Sequence, residues 1–273
     1  MIFLDLDGTL MDDQKKVPEN NRNAIKEALQ MGHKVIICTG RPLCSAKKLF
    51  PLLDMEQKGC YAITYNGGLI YDIYHQKTLF QKTLPLEYVR YIFQKAKEYD
   101  IYMQTYSEDE VLCHEDMPEG LAYSTRLKIE RRIVPDVFEV LGTEAPCKTL
   151  AIAKGYDRKK LEAFREVFTE WAEDKVDLFF SCYEFLEFVP KGISKGAAIR
   201  FLAEYLHIPV ENTIAVGDAE NDIPMIEAAG LGVVMKNADD DIKIYADYIT
   251  EWDNNEGGVA EVIHKFMLSS SAS

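Results

Sequence analysis

Nowhere in the 273 residues does an apolar stretch approach the roughly 20 positions that a membrane-spanning helix needs. No Cys-x-x-Cys pair occurs, and the six cysteines (Cys38, Cys44, Cys60, Cys113, Cys147, Cys182) are widely scattered. Reduced, mostly buried thiols are therefore expected. The five histidines show no ligand spacing and read as structural or surface residues. Positive charge is scarce: Lys plus Arg total 31 against 45 Asp plus Glu, a formal net charge of -14, and no basic run is dense enough for a nucleic-acid groove. Nucleic acids and membranes are thus excluded as expected partners. No signal-like segment opens the chain, so a cytoplasmic protein is expected. The one low-complexity piece, Ser269–Ser273, reads as a frayed tail.

The remainder has the composition of a globular protein, with 47% hydrophobic and 28% charged residues. The length fits one large or two unequal domains. An acidic chain that handles an anionic substrate must override its own field locally, which a metal, a lysine or helix N-termini can do.

The strongest signal comes at the start. The apolar run Ile2-Phe3-Leu4 delivers two carboxylates, Asp5 and Asp7, followed by Gly8-Thr9. A carboxylate at the edge of an apolar interior needs a cation or hydrogen bonds. A single Asp before Gly is ordinary turn capping. Two acids at i and i+2 point to the same side and repel, which favours a divalent cation between them.

The hydrophobic pattern alternates over the first part of the chain. Strands are predicted at Ile2–Leu6, Lys34–Cys38 and Tyr61–Thr64, with a helix from Pro18 to Met31 closed by Gly32 and another after Pro42. Leu69–Ile73 and Thr78–Lys82 read as a hairpin leading out of the sheet. Next comes a mixed segment: a helix Leu86–Glu98, strands near Ile101–Tyr106, Val111–His114 and Thr149–Ala153, a helix Arg158–Ala172, and strands around Leu178 and Phe188. The alternation then returns with helix Lys195–Tyr205, strand Thr213–Val216, helix Pro224–Ala229, strand Leu231–Met235, a helix near Asp240–Tyr245, strand Tyr248–Thr250 and a helix Gly258–Met267. The expected fold is α/β, a doubly wound Rossmann-like parallel sheet built from residues 1–83 and 190–273, with an inserted α+β domain at 84–189.

In such a sheet the ligand lies beyond the carboxyl ends of the strands. Four predicted strands end in Asp5-Leu6-Asp7-Gly8-Thr9, Thr39-Gly40-Arg41, Asn66-Gly67-Gly68 and Gly217-Asp218-Ala219-Glu220-Asn221-Asp222. Taken singly, Thr39-Gly40 and Asn66-Gly67 are turn chemistry and Asp222 is a helix cap. Their shared edge makes them a candidate phosphate and metal site. Lys195, after the N-cap Ser194, sits in a first helical turn where a cation opposes the helix dipole, which hints at an anion beside it.

This ordered set, from Asp-x-Asp-Gly-Thr through a Thr ending the second strand and a helix-opening Lys to Gly-Asp-x-x-x-Asp, resembles the haloacid dehalogenase-like superfamily of phosphatases. The position of the insertion and the segments Val189–Gly196, Ala246–Tyr248 and Asp253–Val259 look like its Cof-type branch. The resemblance implies that Asp5 is a nucleophile forming an aspartyl-phosphate and that Asp7 is the acid, then the base. It also implies Mg²⁺ held by the Asp5 carboxylate, the Asp7 carbonyl and Asp218, with Asp222 supporting through water. Thr39, Gly40, Asn66 and Asn221 would bind phosphate or substrate, and Lys195 would screen the nucleophile. Two departures are Gly68, where relatives often carry Ala, and Lys236, where Gly is frequent; Lys236 could place an extra cation near the site. The implied substrate is a small phosphorylated metabolite, sugar phosphates or similar, and the implied state a monomer or weak homo-oligomer. A phosphomutase-type phosphotransferase and a non-catalytic phosphometabolite sensor are the alternatives. The inserted domain is expected to close as a lid, with Tyr102, Tyr106, Tyr123 and Arg126 as weak candidates for substrate contact and core packing or solvent exposure as their ordinary fate.

Overall fold

The computed structural model describes residues 1–268; the Ser269–Ser273 segment lies outside the described residues. In chain order the elements begin β1 (Ile2–Leu4), α1 (Glu19–Gln30), β2 (Val35–Cys38), α2 (Leu43–Lys47), β3 (Cys60–Thr64), β4 (Leu69–Asp72) and β5 (Lys77–Gln81). They continue α3 (Leu86–Glu98), β6 (Tyr102–Tyr106), β7 (Glu110–Cys113), α4 (Pro118–Leu127), β8 (Glu130–Ile133), α5 (Val137–Leu141), β9 (Thr149–Ile152), α6 (Arg158–Glu166), α7 (Thr169–Ala172), β10 (Val176–Cys182) and β11 (Phe185–Pro190). The last group is α8 (Lys195–Tyr205), β12 (Ile214–Gly217), α9 (Ile223–Ala228), β13 (Leu231–Val234), α10 (Asp240–Lys243), β14 (Tyr248–Ile249) and α11 (Gly258–Ile263).

Two compact units divide the chain. The first comprises Met1–Gly40, Ala46–Phe80 and Ser194–Ser273, and the second Arg41–Ser45 and Gln81–Ile193. The first holds one sheet in the order β14-β13-β12-β1-β2-β3-β4-β5. From β14 to β3 every pairing is parallel. Buried on both faces, such strands carry no alternation, and Ile2-Phe3-Leu4 and Val35-Ile36-Ile37-Cys38 are apolar throughout. On one face Phe3, Ile36, Ile63 and Ala215 pack with Ala198, Ile199 and Leu202 of α8 and Met225 of α9. On α1 the buried stripe is Ala24, Ile25, Ala28 and Leu29, and Gly32, at φ 82°, ends the helix as expected. Strand order reverses at β1: the chain steps outward through β2 and β3, then returns to β12 on the other side of β1. That reversal opens the crevice where ligands bind in open α/β sheets.

The hairpin expected to lead out of the sheet instead extends it. β4 pairs antiparallel with β3, from Tyr61 opposite Asp72 to Thr64 opposite Leu69, and β5 follows as the outermost strand. Without β4, the free side of the fully buried β3 would expose a row of unpaired backbone groups.

The second unit has its own six-stranded sheet, β10-β11-β9-β6-β7-β8, antiparallel except for β7 with β8. One face carries its apolar core, with Ile92 and Phe93 of α3, Phe164, Phe168 and Phe188 among its members. The helix predicted over Arg158–Ala172 is two helices. Phe168 N donates to Arg165 O in a tighter turn, while Thr169 Oγ1 takes the Glu166 carbonyl that a continuing helix would use. Three elements had no counterpart in the sequence reading: α4, β8 and α5.

All six cysteines are free, four of them buried. Burial pushes the Cys60 and Cys147 thiols up to about 11, so neither is a reactive thiolate at neutral pH.

Candidate active site

β1 and β12, the strands on either side of the reversal, deliver the central acids. Backbone pairing runs one residue past β1, because Asp5 N donates to Val216 O (3.0 Å), which fixes the Asp5 side chain at the sheet's carboxyl edge. From β12 the chain passes Gly217 into the turn Asp218–Asp222. Asp222 Oδ2 accepts from the amides of Asp218 (3.0 Å) and Ala219 (3.1 Å), so this acid builds the loop that presents Asp218. Gly8 brings the two loops together: its φ is 89°, and a Cβ there would stand 2.3 Å from Asp218 Oδ2.

A lysine answers these acids. Lys195, the first residue of α8, is 0% exposed and donates to Asp5 Oδ1 (2.5 Å) and Asp222 Oδ1 (2.5 Å). Its unfavourable place in the first helical turn is thereby compensated by two carboxylates. Burial alone would lower its pKa, but Asp222 and then Asp5 outweigh burial and raise it, so it stays an ammonium. Thr9 Oγ1 donates to Asp218 Oδ1 (2.7 Å). Carboxylate oxygens of Asp5, Asp218 and Asp222 lie within 4.8 Å of one another.

Among the described residues, the three clustered acids Asp5, Asp218 and Asp222 have the Lys195 ammonium between them, and the pKa shifts register a shortage of positive charge. Asp5 is pushed up to about 7, first by burial and then by Asp222, with Lys195 opposing. Asp218 is raised well above the ordinary range, by burial and then by Asp5. Both groups disfavour ionisation where they stand, the signature of a site made for a further cation. Lys195 occupies Asp5 Oδ1 and Asp222 Oδ1, Thr9 occupies Asp218 Oδ1 and two amides occupy Asp222 Oδ2. The Oδ2 atoms of Asp5 and Asp218 are not engaged by these bonds, and an all-oxygen donor set suits a hard divalent ion.

Beside the acids, the loops after β2 and β3 make a second cluster. Asn66 N donates to Thr39 O (3.1 Å), the Asn66 carboxamide stands over Gly40 where a Cβ would meet it at 3.0 Å, and Asn221 Nδ2 donates to Asn66 Oδ1 (3.0 Å). Asn66 is buried in left-handed backbone (φ 56°), and its Nδ2 has no partner among the described residues. A buried donor without a partner wants an acceptor, which a phosphate oxygen provides.

The structure thus brings Asp5, Asp218, Asp222 and Lys195 together, and Gly40, Asn66 and Asn221 together, with Thr39 joined to the second group through its carbonyl and Asn66 N. Asp7 stands apart from the three clustered carboxylates: it is half-exposed and its Oδ1 lies 2.9 Å from Lys15 Nζ. Lys236 does not add a cation to the acids; its ammonium reaches Glu256 at 3.3 Å. Among the inserted tyrosines, Tyr102, Tyr106 and Tyr123 are buried, and the Tyr106 and Tyr123 hydroxyls are 2.7 Å apart. Gln104 lies between the first two, accepting from the Tyr102 hydroxyl and donating to that of Tyr106, while Arg126 is exposed with its guanidinium over the Phe185 ring. Two residues with no assigned role in the sequence reading belong to the site's surroundings, Thr9 and Lys15. Thr9 was visible inside its motif; nothing in local sequence tied Lys15 to Asp7.

Residues 2–263 match the family model described as haloacid dehalogenase-like hydrolase. The chain is 31% identical over 269 residues to the 5-amino-6-(5-phospho-D-ribitylamino)uracil phosphatase YcsE of Bacillus subtilis, covering 98% of this chain and 96% of that protein. It is 31% identical over 296 residues to the phosphatase YwpJ of the same species, covering 96% and 98%. A haloacid dehalogenase-like hydrolase from Bacteroides thetaiotaomicron superposes with a TM-score of 0.87 at 32% identity, over 96% of this chain and 97% of that one. No helix among the described residues is long and apolar enough to cross a membrane. With its acids at the switch point of the sheet and these relatives along nearly its whole length, the chain belongs to the haloacid dehalogenase-like hydrolases and is a phosphatase.

Proposed function

We propose that this protein is a Mg²⁺-dependent phosphatase of small phosphate monoesters, sugar phosphates or similar metabolites, working through an aspartyl-phosphate on Asp5. The observation that carries this reading is the buried set of Asp5, Asp218 and Asp222 around the single ammonium of Lys195, next to the unpartnered donor of Asn66.

In this reading the Asp5 carboxylate and Asp218 would hold the ion, with the Asp7 carbonyl and, through water, Asp222. The ion would supply the positive charge that keeps the acids ionised and neutralises phosphate oxygens. Asp5 forms a bond to phosphorus as the bond from phosphorus to the leaving oxygen breaks, and Asp7 gives that oxygen its proton. Asp7, now a carboxylate, takes a proton from water as the water attacks phosphorus, the bond to Asp5 breaks and phosphate is released. Thr39, the Gly40 amide, Asn66 and Asn221 bind the phosphate oxygens, and Lys195 keeps Asp5 and the phosphate from repelling each other. The inserted unit, residues 84–189 in this reading, would act as the lid that selects the substrate.

The test is phosphate release by purified protein with Mg²⁺ from a panel of sugar phosphates, nucleotides and 5-amino-6-(5-phospho-D-ribitylamino)uracil. The last belongs there because it is the substrate named for a relative 31% identical to this chain. Release that vanishes in Asp5→Asn supports the reading; no release from any ester sinks it.

A further inference from the structure

We propose that Asn237 and Asn254 are positioning residues for the ion site, holding the loop after β1 at the spacing from Asp218 that suits Mg²⁺; this rests on the ion-binding role given to Asp5 and Asp218 above. They act through Gly8, whose α-carbon stands so close to Asp218 that an added Cβ would meet its Oδ2 at 2.3 Å. Wherever the Gly8 peptide moves, the spacing between the two acid-bearing loops moves with it.

The grip begins on the strand that delivers Asp218. Met235, directly after β13, donates its amide to Gly217 O (3.0 Å), one residue before Asp218. The turn that follows is closed by Ala238 N to Met235 O (3.0 Å) and pinned by Lys236 N to Thr250 Oγ1 (2.9 Å). From this turn Asn237 Nδ2 donates to Gly8 O (2.8 Å). One short segment is therefore bonded to both loops that carry the acids.

Asn237 is exposed, and a lone exposed hydrogen bond would leave Gly8 loosely held. Asn254 supplies the missing stiffness. Its amide donates to Asn237 Oδ1 (3.1 Å), which decides which end of that carboxamide faces Gly8. Its own carboxamide, buried, donates through Nδ2 to Met11 O (3.1 Å) and Asp13 Oδ1 (3.1 Å), further along the same loop. Asn254 is itself braced, because Asp253 Oδ1 accepts from the amides of Asn255 (2.8 Å) and Glu256 (2.9 Å). With Gly8 and Met11 both fastened, the loop has little freedom to adjust around an ion.

Fixed spacing separates two hard divalent ions. Mg²⁺ demands near-ideal octahedral geometry at short distances, whereas Ca²⁺ accepts longer and more variable ones. Loosening the loop therefore costs Mg²⁺ more than Ca²⁺.

The test is the ratio of the Ca²⁺ to the Mg²⁺ dissociation constant, from calorimetric titration of the full chain with each ion. Asn237→Ala should lower this ratio about fivefold, the equilibrium worth of one ordinary hydrogen bond. Asn254→Ser should lower it as well; if that variant does not fold, Asn237→Ala, at an exposed position, carries the test. Asn20→Ala cuts the bond from Asn20 Nδ2 to Glu256 O (2.8 Å), a tie between the same C-terminal segment and α1 that bypasses Gly8, and should keep the wild-type ratio. A merely structural role would weaken both ions alike. A ratio within about twofold of wild type in either folded variant, or an equal fall in Asn20→Ala, overturns the inference. Asp218→Asn checks the site separately: loss of Mg²⁺ binding there upholds the ion site whatever Asn237→Ala shows, and unchanged binding overturns the site and the inference with it.

Discussion

Lys195 Nζ lies 2.5 Å from Asp5 Oδ1 across 190 residues of sequence, with no solvent reaching the ammonium. The same ammonium is 2.5 Å from Asp222, so removing it leaves two buried carboxylates without their cation. Breaking a buried pair by deleting one partner costs about 3–5 kcal/mol. Lys195→Met should therefore destabilise the metal-free protein by about that much in urea unfolding with a chelator present, and phosphate release should be lost. A variant as stable as wild type would mean that the acids are held by something other than Lys195.

The raised pKa values give the acids a pH signature. Asp5 in the folded protein titrates near 7 against an ordinary 3.8, and Asp218 is also raised, so between these limits the folded state binds protons that the unfolded state has released. Stability then falls as pH climbs from about 4 to about 7. A divalent ion requires the deprotonated carboxylates, so Mg²⁺ should raise the melting temperature more at pH 7.5 than at pH 5. Melting curves in EDTA and in Mg²⁺ across this range check both statements; a pH-independent gain from Mg²⁺ would place its binding away from these acids.

Gly8 is the contact point between the β1 and β12 loops. Gly8→Ala would put a Cβ 2.3 Å from Asp218 Oδ2 in backbone at φ 89°. The backbone alone accounts for about 1–3 kcal/mol. Asp218 must also move, so the expected result is a fold that survives with weakened Mg²⁺ affinity, read by calorimetric titration. Unchanged affinity would remove Asp218 from the ion's ligands.

How much of this was legible beforehand depends on whether burial and hydrophobicity coincide. α3 and α8 were read to the residue, because their buried faces are apolar and Pro85 and Ser194 mark their starts. α4 was invisible for the opposite reason. Its buried residues Gly120, Tyr123, Ser124 and Leu127 keep helical spacing, yet Gly and Ser fill two of the places, and a Cβ on Gly120 would run into the Tyr102 ring. β8, Glu-Arg-Arg-Ile, is a charged edge strand whose sequence hides it while protecting the edge. In the site, Asp5, Asp218, Asp222 and Lys195 were found because charge beside an apolar run is costly, and the fold gathers them. Lys15 and Asn254 left no such mark, since loop residues acquire meaning only from partners far away in sequence.

The second unit holds a buried pair of its own. Lys148 Nζ donates to Glu187 Oε2 at 2.7 Å, both residues nearly solvent-free, and Ser181 Oγ donates to Glu187 Oε1 at 2.8 Å. Burial works to lower the Lys148 pKa, but Glu187 and then Tyr123 outweigh it, so the ammonium persists. Lys148→Met strands the Glu187 carboxylate and should cost about 3–5 kcal/mol, whereas replacing both by apolar residues of similar volume removes both desolvation penalties. The double variant Lys148→Met, Glu187→Leu should then be more stable than Lys148→Met alone. Trp171 and Trp252, the two tryptophans, fall one in each unit. Urea unfolding followed by Trp171 fluorescence in a Trp252→Phe background therefore reads the second unit by itself. A double variant no more stable than Lys148→Met would show that the pair contributes through packing or its hydroxyl neighbours rather than through charge.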